Sequence, residues 1–231
     1  VGVNAAFDEE KIDNFEAGVK STFWDGRART TVAIYYAKWR NGQIATTVPF
    51  TTPLGALNLL TVTQNLGAVN LKGGEFEGDV KVNENLTLSA TASLNTSKIK
   101  VFTCGDCLSI YGNTNATGNR LGQAEKYKFS LSGDYRAPLV GDYEWFTRVD
   151  YVYRGKYFLD ASNRASAPAQ KTLNARLGVA TENLQLQIYG KNLLDDDGLR
   201  GHLGLDILTQ TPTNANLQNE LRLALPDERT V

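Results

Sequence analysis

The 231 residues contain no methionine. Without an initiator of its own, the chain is expected to be a fragment or mature piece of a longer product. Nothing at Val1 resembles a secretion signal, because the sequence opens directly into polar residues. No run approaches the ~18 apolar residues of a membrane-crossing helix, so any membrane role falls to β-strands. The net charge is only -1 and no nucleic-acid-binding motif occurs, which excludes the electrostatic footprint of a DNA or RNA binder. Histidine occurs once, as His202, with no evident nucleophilic partner, and no catalytic constellation is present. The reading is of a protein that is not an enzyme and holds no cofactor or metal.

Cysteine occurs twice, as Cys104 and Cys107 in FTCGDCLS. A redox CxxC sits at a helix start in a thioredoxin-like unit, and the surrounding sequence has no such pattern. A zinc site needs two further ligands. A small disulfide in an exposed loop, in an oxidising compartment, is the favoured reading.

What the chain does have is alternation. In Asn14–Trp24, NFEAGVKSTFW, the residues Phe15, Ala17, Val19, Ser21 and Phe23 fall on one face and Asn14, Glu16, Gly18, Lys20, Thr22 and Trp24 on the other. Successive strand residues point to opposite faces, so this segment has one oily and one wet side. The pattern recurs at Leu86–Asn95, Tyr127–Arg136 and Thr172–Thr181. It predicts eight strands, over 13–24, 27–43, 62–83, 86–102, 124–138, 143–160, 169–182 and 184–195. Several exceed the usual soluble length and meet the ~9–11 residues of a tilted transmembrane strand.

The connections alternate too. Asp25-Gly26, Asn83-Glu84-Asn85, Leu139 to Asp142 and Glu182-Asn183 are tight turns of turn-forming residues. Between them lie long polar connections at 44–61, 103–123, 161–168 and from 196 onward, with no convincing strand across 198–227. Short turns at one end and long loops at the other are the habit of outer-membrane barrels. The class is therefore all-β: an antiparallel transmembrane β-barrel, here about eight strands of a larger one. If the tight turns are periplasmic, both chain ends lie outside the cell, where a complete bacterial barrel does not put them. Aromatic residues near strand ends (Phe23, Trp24, Tyr35, Tyr36, Trp39, Tyr143, Trp145, Phe146, Tyr151, Tyr153, Tyr157) are expected in the girdles at the lipid interfaces.

The wet face carries both signs of charge. Glu16, Lys20, Glu75, Glu77, Lys128, Arg136, Arg148, Asp150, Arg154 and Arg176, with Asp79 and Asp134, are expected to face a lumen and to contact a plug or ligand. Solvated wall charge is the plainer alternative. Asp195-Asp-Asp-Gly198 offers oxygen ligands of the kind calcium takes, but the spacing is not an EF-hand and a turn is the simpler reading.

Three stretches, Asp13–Arg27, Ala33-Ile-Tyr-Tyr-Ala-Lys-Trp39 and Lys72-Gly-Gly-Glu-Phe-Glu77, followed by Leu186-Gln-Ile-Tyr-Gly-Lys-Asn-Leu-Leu-Asp195, resemble in order the C-terminal part of TonB-dependent outer-membrane receptors. The last looks like the family's NLFD segment. The resemblance implies a 22-stranded barrel around an N-terminal plug, with these eight as strands 14 to 21 and the plug and last strand outside the chain. It implies a bacterial outer-membrane location. It also implies uptake of a scarce nutrient, such as an iron–siderophore complex. The partners would be membrane lipid, the plug, a TonB-type inner-membrane energy-coupling protein and a small ligand. A passive porin or structural barrel is the first alternative, and a soluble β-sandwich binding module the second.

Overall fold

Alternation predicts extended backbone, and the computed structural model consists of strands, turns and loops. It describes residues 7–55, 57–65, 67–102, 115–159, 161–198, 202–206 and 220–223. The strands are β1 (Lys11–Phe23), β2 (Ala28–Arg40), β3 (Gln43–Thr51), β4 (Leu57–Asn65), β5 (Ala68–Lys81), β6 (Leu86–Val101), β7 (Tyr127–Val140), β8 (Tyr143–Arg154), β9 (Tyr157–Phe158), β10 (Ser166–Ala167), β11 (Gln170–Ala180), β12 (Gln185–Gly190), β13 (His202–Asp206) and β14 (Glu220–Leu223). Eight form one sheet in the order β1-β2-β5-β6-β7-β8-β11-β12, every neighbour antiparallel. Among the described residues no pairing joins β12 back to β1, so the sheet is an open arc. No helix long and apolar enough to cross a membrane occurs among the described residues.

These are the eight expected strands, in the expected order, with corrected bounds. The strand expected over 62–83 starts at Ala68, because Leu57–Asn65 pairs locally with Gln43–Thr51 as a hairpin of its own. The connection expected over 44–61 is thus largely strand. The strand expected over 143–160 stops at Arg154, where the chain leaves the ladder and forms the short pair β9–β10. The segment expected to lack strands holds β13 paired with β14.

Turn chemistry closes the short ends. Trp24, Asp25 and Gly26 take φ of 52°, 55° and 86°. Three consecutive left-handed residues require the Gly and favour the Asp. The Asn83 side chain accepts hydrogen bonds from the amides of Asn85 (2.9 Å) and Leu86 (2.8 Å). The Thr181 hydroxyl does the same for Asn183 and Leu184. Each side chain replaces a backbone partner and holds its hairpin in register.

Register then fixes the faces. Phe15 lies opposite Tyr36, Val32 opposite Phe76, Ala92 opposite Phe129, Leu131 opposite Tyr151, Val149 opposite Ala175 and Leu177 opposite Ile188. Because the side-chain period is two, one such set puts the whole arc into register, with every apolar series on the same side. Phe129 stacks on Tyr153 at 5.1 Å, and Tyr135 leans on Trp145 at 4.9 Å. Much of this side is unburied: Ile34, Leu131 and Ile188 are 63%, 51% and 73% exposed. An apolar area spread across eight strands exceeds what a soluble monomer shows to water and suits lipid.

Not every aromatic joins the girdles. Tyr35, Trp39 and Phe146 fall on the opposite, inward face, and Tyr157 is buried outside the sheet. Tyr35 is paired with Gly73 and Phe146 with Gly178. A Cβ added to Gly73 would collide with the Tyr35 ring and the Leu94 carbonyl, and one on Gly178 with the Phe146 ring and the Leu186 carbonyl. Each ring covers a neighbouring glycine, which supplies the packing that a bare strand position lacks.

Candidate functional site

The inward face is a polar wall. All ten candidate side chains lie on it by register: Glu16 and Lys20 on β1, Glu75 and Glu77 on β5, Lys128 and Arg136 on β7, Arg148, Asp150 and Arg154 on β8, and Arg176 on β11. The structure joins some of them. The Arg148 guanidinium donates from Nε to both Asp150 carboxylate oxygens at 3.0 Å, and its Nη2 lies 2.8 Å from Oδ1. The Ser132 hydroxyl donates to the same Oδ1 at 2.7 Å. Asp134 lies 4.0 Å from Arg148 and 3.6 Å from Arg136, which in turn reaches Glu144 at 2.8 Å. A continuous charge network therefore crosses β7 and β8. Its members are partly exposed, so each pair contributes only about 1 kcal/mol or less, and its effect is to hold the side chains in place.

Other candidates stay apart. No ion pair joins Glu16, Lys20, Glu75, Glu77, Lys128 or Arg176 to another described residue. Glu75, Glu77 and Asp79 occupy successive positions on the polar face of β5, a file of carboxylates. Arg176 stands directly opposite Arg148, cation against cation. Beside that pair is a groove of about 560 Å³, lined by Arg148, Asp150, Asn174, Arg176, Tyr189 and Lys191. Its lining holds three cations against one carboxylate, and that carboxylate is already paired with Arg148, so the groove carries excess positive charge. A larger recess, about 820 Å³, is lined by Ala28, Phe76, Leu88, Leu131 and Tyr151 on the apolar side, and belongs to the membrane contact.

At the end of the wall away from the tight turns, the long connections fold into a cap. Trp39, Leu71, Leu121 and Ala161 pack around buried Val69, Ile99, Phe102 and Ala116. Residues 115–126 are stitched to 157–159 and 161–167. The Asn119 side-chain amide donates to the carbonyls of Ala161 and Ser162, Arg120 and Asn163 exchange two hydrogen bonds at 2.8 Å, and the Gln123 amide donates to the Phe158 carbonyl at 2.7 Å. Arg154, at the top of β8, meets Glu125 at 3.1 Å. Burial pushes the Glu125 carboxyl up, but backbone and Arg154 hydrogen bonds with the nearby positive charge outweigh it, holding the group below its ordinary value. Burial pushes the Tyr157 phenol up.

Sequence reasoning missed Glu144, Glu125, Asn119 and Asn163. Glu144 shares the parity of Arg148 and Asp150, so alternation reaches it. The cap residues sit in aperiodic loops, where no such signal exists. Cys104 and Cys107 lie outside the described residues. The acidic run after β12 is a turn: the Asp196 carboxylate accepts from the Gly198 and Lys171 amides, and the Asp196 amide donates to Asn192. Among the described residues no three His, Cys, Asp or Glu side chains converge as metal ligands. His202 opens β13 opposite Leu223.

Residues 1–193 match the family described as TonB dependent receptor-like, beta-barrel. Solved structures with the same fold include the ferric yersiniabactin uptake receptor FyuA from Yersinia pestis, at 16% identity and a TM-score of 0.69, with 95% of this chain and 28% of that one covered. The siderophore receptor PiuA from Acinetobacter baumannii matches at 18% identity and a TM-score of 0.69, covering 98% and 29%. The ferric-catecholate import receptor Fiu from E. coli K12 matches at 16% and 0.59, covering 99% and 28%. The chain thus spans under a third of the length of these structures.

Proposed function

Because the chain belongs to the TonB-dependent receptor-like β-barrel family of the bacterial outer membrane, we propose that it forms part of the wall and outer mouth of a receptor that imports a scarce nutrient of the iron–siderophore type. The observation that carries this reading is the two-faced register: one apolar side over eight strands, and on the other a charged wall beneath a stitched cap. In this reading the open edges of β1 and β12 continue into further strands of the same barrel, because unpaired backbone is intolerable in lipid. The unpaired carboxylates of β5 meet cationic groups of a plug. The Arg148–Arg176–Lys191 groove draws anionic groups of ligand or plug, and an inner-membrane energy-coupling protein moves the plug.

The named neighbours, receptors for ferric yersiniabactin, ferric catecholates and other siderophores, support the ligand class. The test is uptake of radiolabelled iron, presented as a panel of ferric chelates, by cells with and without the full reading frame, with and without a protonophore. Saturable uptake of one chelate, abolished by deletion and by the protonophore, is expected. Uptake that is unsaturable and indifferent to the protonophore would make the barrel a passive porin.

A further inference from the structure

We propose that Lys38, Lys72 and Lys98, on the lipid side of the wall, form a docking site for the phosphates of an outer-leaflet lipid. Their positions follow from register. Lys38 and Lys98 both lie opposite Asn70, and Lys72 lies opposite Tyr36 and Thr96, all in the apolar parity of β2, β5 and β6. Lys72 is therefore diagonal to each of the others, about 7–8 Å away, and Lys38 and Lys98 are two strands, about 9–10 Å, apart. Flexible four-carbon stems let three ammonium groups converge on one phosphate from such spacings.

Height places the cluster at a headgroup. From Ala28, beside the tight turn, to Lys38 is ten residues, about 33 Å of strand. At a tilt of 35–45° that is about 25 Å along the membrane normal, the height of a barrel's apolar band. The Lys38 ammonium lies over the Tyr36 ring at 5.9 Å, at the level where interfacial aromatics give way to polar headgroups. Among the described residues, the outward strand positions at the far end of the same face carry no cation. Val80, Leu86, Tyr135, Trp145, Val179 and Leu186 occupy them, and the adjoining turns hold the carboxylates Asp25, Glu84, Asp142 and Glu182 against one cation, Arg27.

The lysines also lack counter-charge. Lys11 pairs with Glu9 and Arg40 with Asp13, but no ion pair joins Lys38, Lys72 or Lys98 to another described residue. Asp13 is opposite Lys38, yet its Oδ2 is held by Arg40 at 2.6 Å. Three exposed like charges on adjacent strands repel one another until an anion sits among them. With apolar wall directly below, a ligand with phosphate above and acyl chains beneath satisfies both surfaces.

The inference depends on the membrane placement and not on the transport reading. The intact barrel is placed in phosphatidylcholine nanodiscs containing a little bis-phosphorylated lipid A, and bound lipid is counted by native mass spectrometry. K38Q/K72Q/K98Q is expected to lower retention at least about tenfold, since each cation near an anionic surface is worth about a fivefold change. K38R/K72R/K98R retains the lipid. Dephosphorylated lipid A binds the unsubstituted barrel as poorly as the glutamine variant binds the phosphorylated form, a comparison that needs no variant to fold. Equal retention by the folded glutamine variant, equal binding of dephosphorylated lipid, or full displacement by millimolar inorganic phosphate would each overturn the proposal.

Discussion

Leu131 tests which face meets lipid. It lies on β7 midway between Tyr127 and Tyr135, four residues from each, which puts about 10 Å of wall above and below it. Its neighbours across the ladder are Ala90 and Tyr151, and it is 51% exposed without lipid. Leu131→Arg places a guanidinium near the bilayer midplane at a cost of about 2–4 kcal/mol. It also removes an apolar side chain, about half of whose 1.5–3 kcal/mol of burial comes from the sheet and half from lipid. The sum, about 3.5–7 kcal/mol, lowers the folding equilibrium by at least about three hundredfold. Ser89→Arg is the control. Ser89 is exposed, sits on the inward face of β6 and lies opposite Asp79, so the new cation meets water and a carboxylate and costs under about 1 kcal/mol. Both variants are made in the intact barrel and folded into lipid vesicles across a urea series, with heat-modifiable gel mobility reporting the folded fraction. Equal penalties, or a larger one for Ser89→Arg, would refute the assignment of faces.

Four smaller expectations accompany it. Gly73→Ala forces a methyl group into the Tyr35 ring and the Leu94 carbonyl; a loss of about 1–3 kcal/mol is expected in the same urea titration, and Tyr35→Ala should relieve part of it. Ile99→Ala empties a fully buried site beneath the cap and should cost about 2–5 kcal/mol, seen as faster proteolysis around 115–126. Arg176→Gln should leave folding unchanged while lowering affinity for an anionic ferric chelate several-fold by titration calorimetry. The lowered pKa of Glu125 means that its contribution is fully present above the ordinary carboxylate value, about 4.3, and is lost as pH falls through the lowered folded value; hydrogen exchange in the cap should accelerate over that acid range, and less so in Glu125→Gln.

The wall was legible because its physics has a period. Phe15, Ala17 and Val19 against Glu16, Gly18 and Lys20 announce two solvents, and a period of two leaves only one register that keeps every oily residue together. Turn chemistry marked the short ends as clearly, since Asp25-Gly26 and Asn83 do their work within three residues. The failures were of longer range. The hairpin Gln43–Thr51 with Leu57–Asn65 was hidden by its polar residues, which read as loop. The inward rings of Tyr35 and Phe146 were misplaced because an aromatic's preference for an interface was weighed without knowing which strand lay alongside.

That last error shows what the candidate site needed beyond alternation. Parity alone put Arg148, Asp150 and Arg176 on one face, and the structure keeps them there. Parity is blind to lateral neighbours: that Arg148 is held by Asp150 while Arg176 is set against Arg148 comes from the stagger of β8 on β11. The same stagger sets Phe146 over Gly178, one inward position further along both strands. A ring that cannot tolerate a Cβ beneath it resists a shift of register, so the Phe146–Gly178 contact pins the alignment that holds two cations side by side. The opposed pair is thus a consequence of how β8 and β11 are locked together, and under the proposed reading an anion entering the groove would relieve a repulsion that the fold maintains.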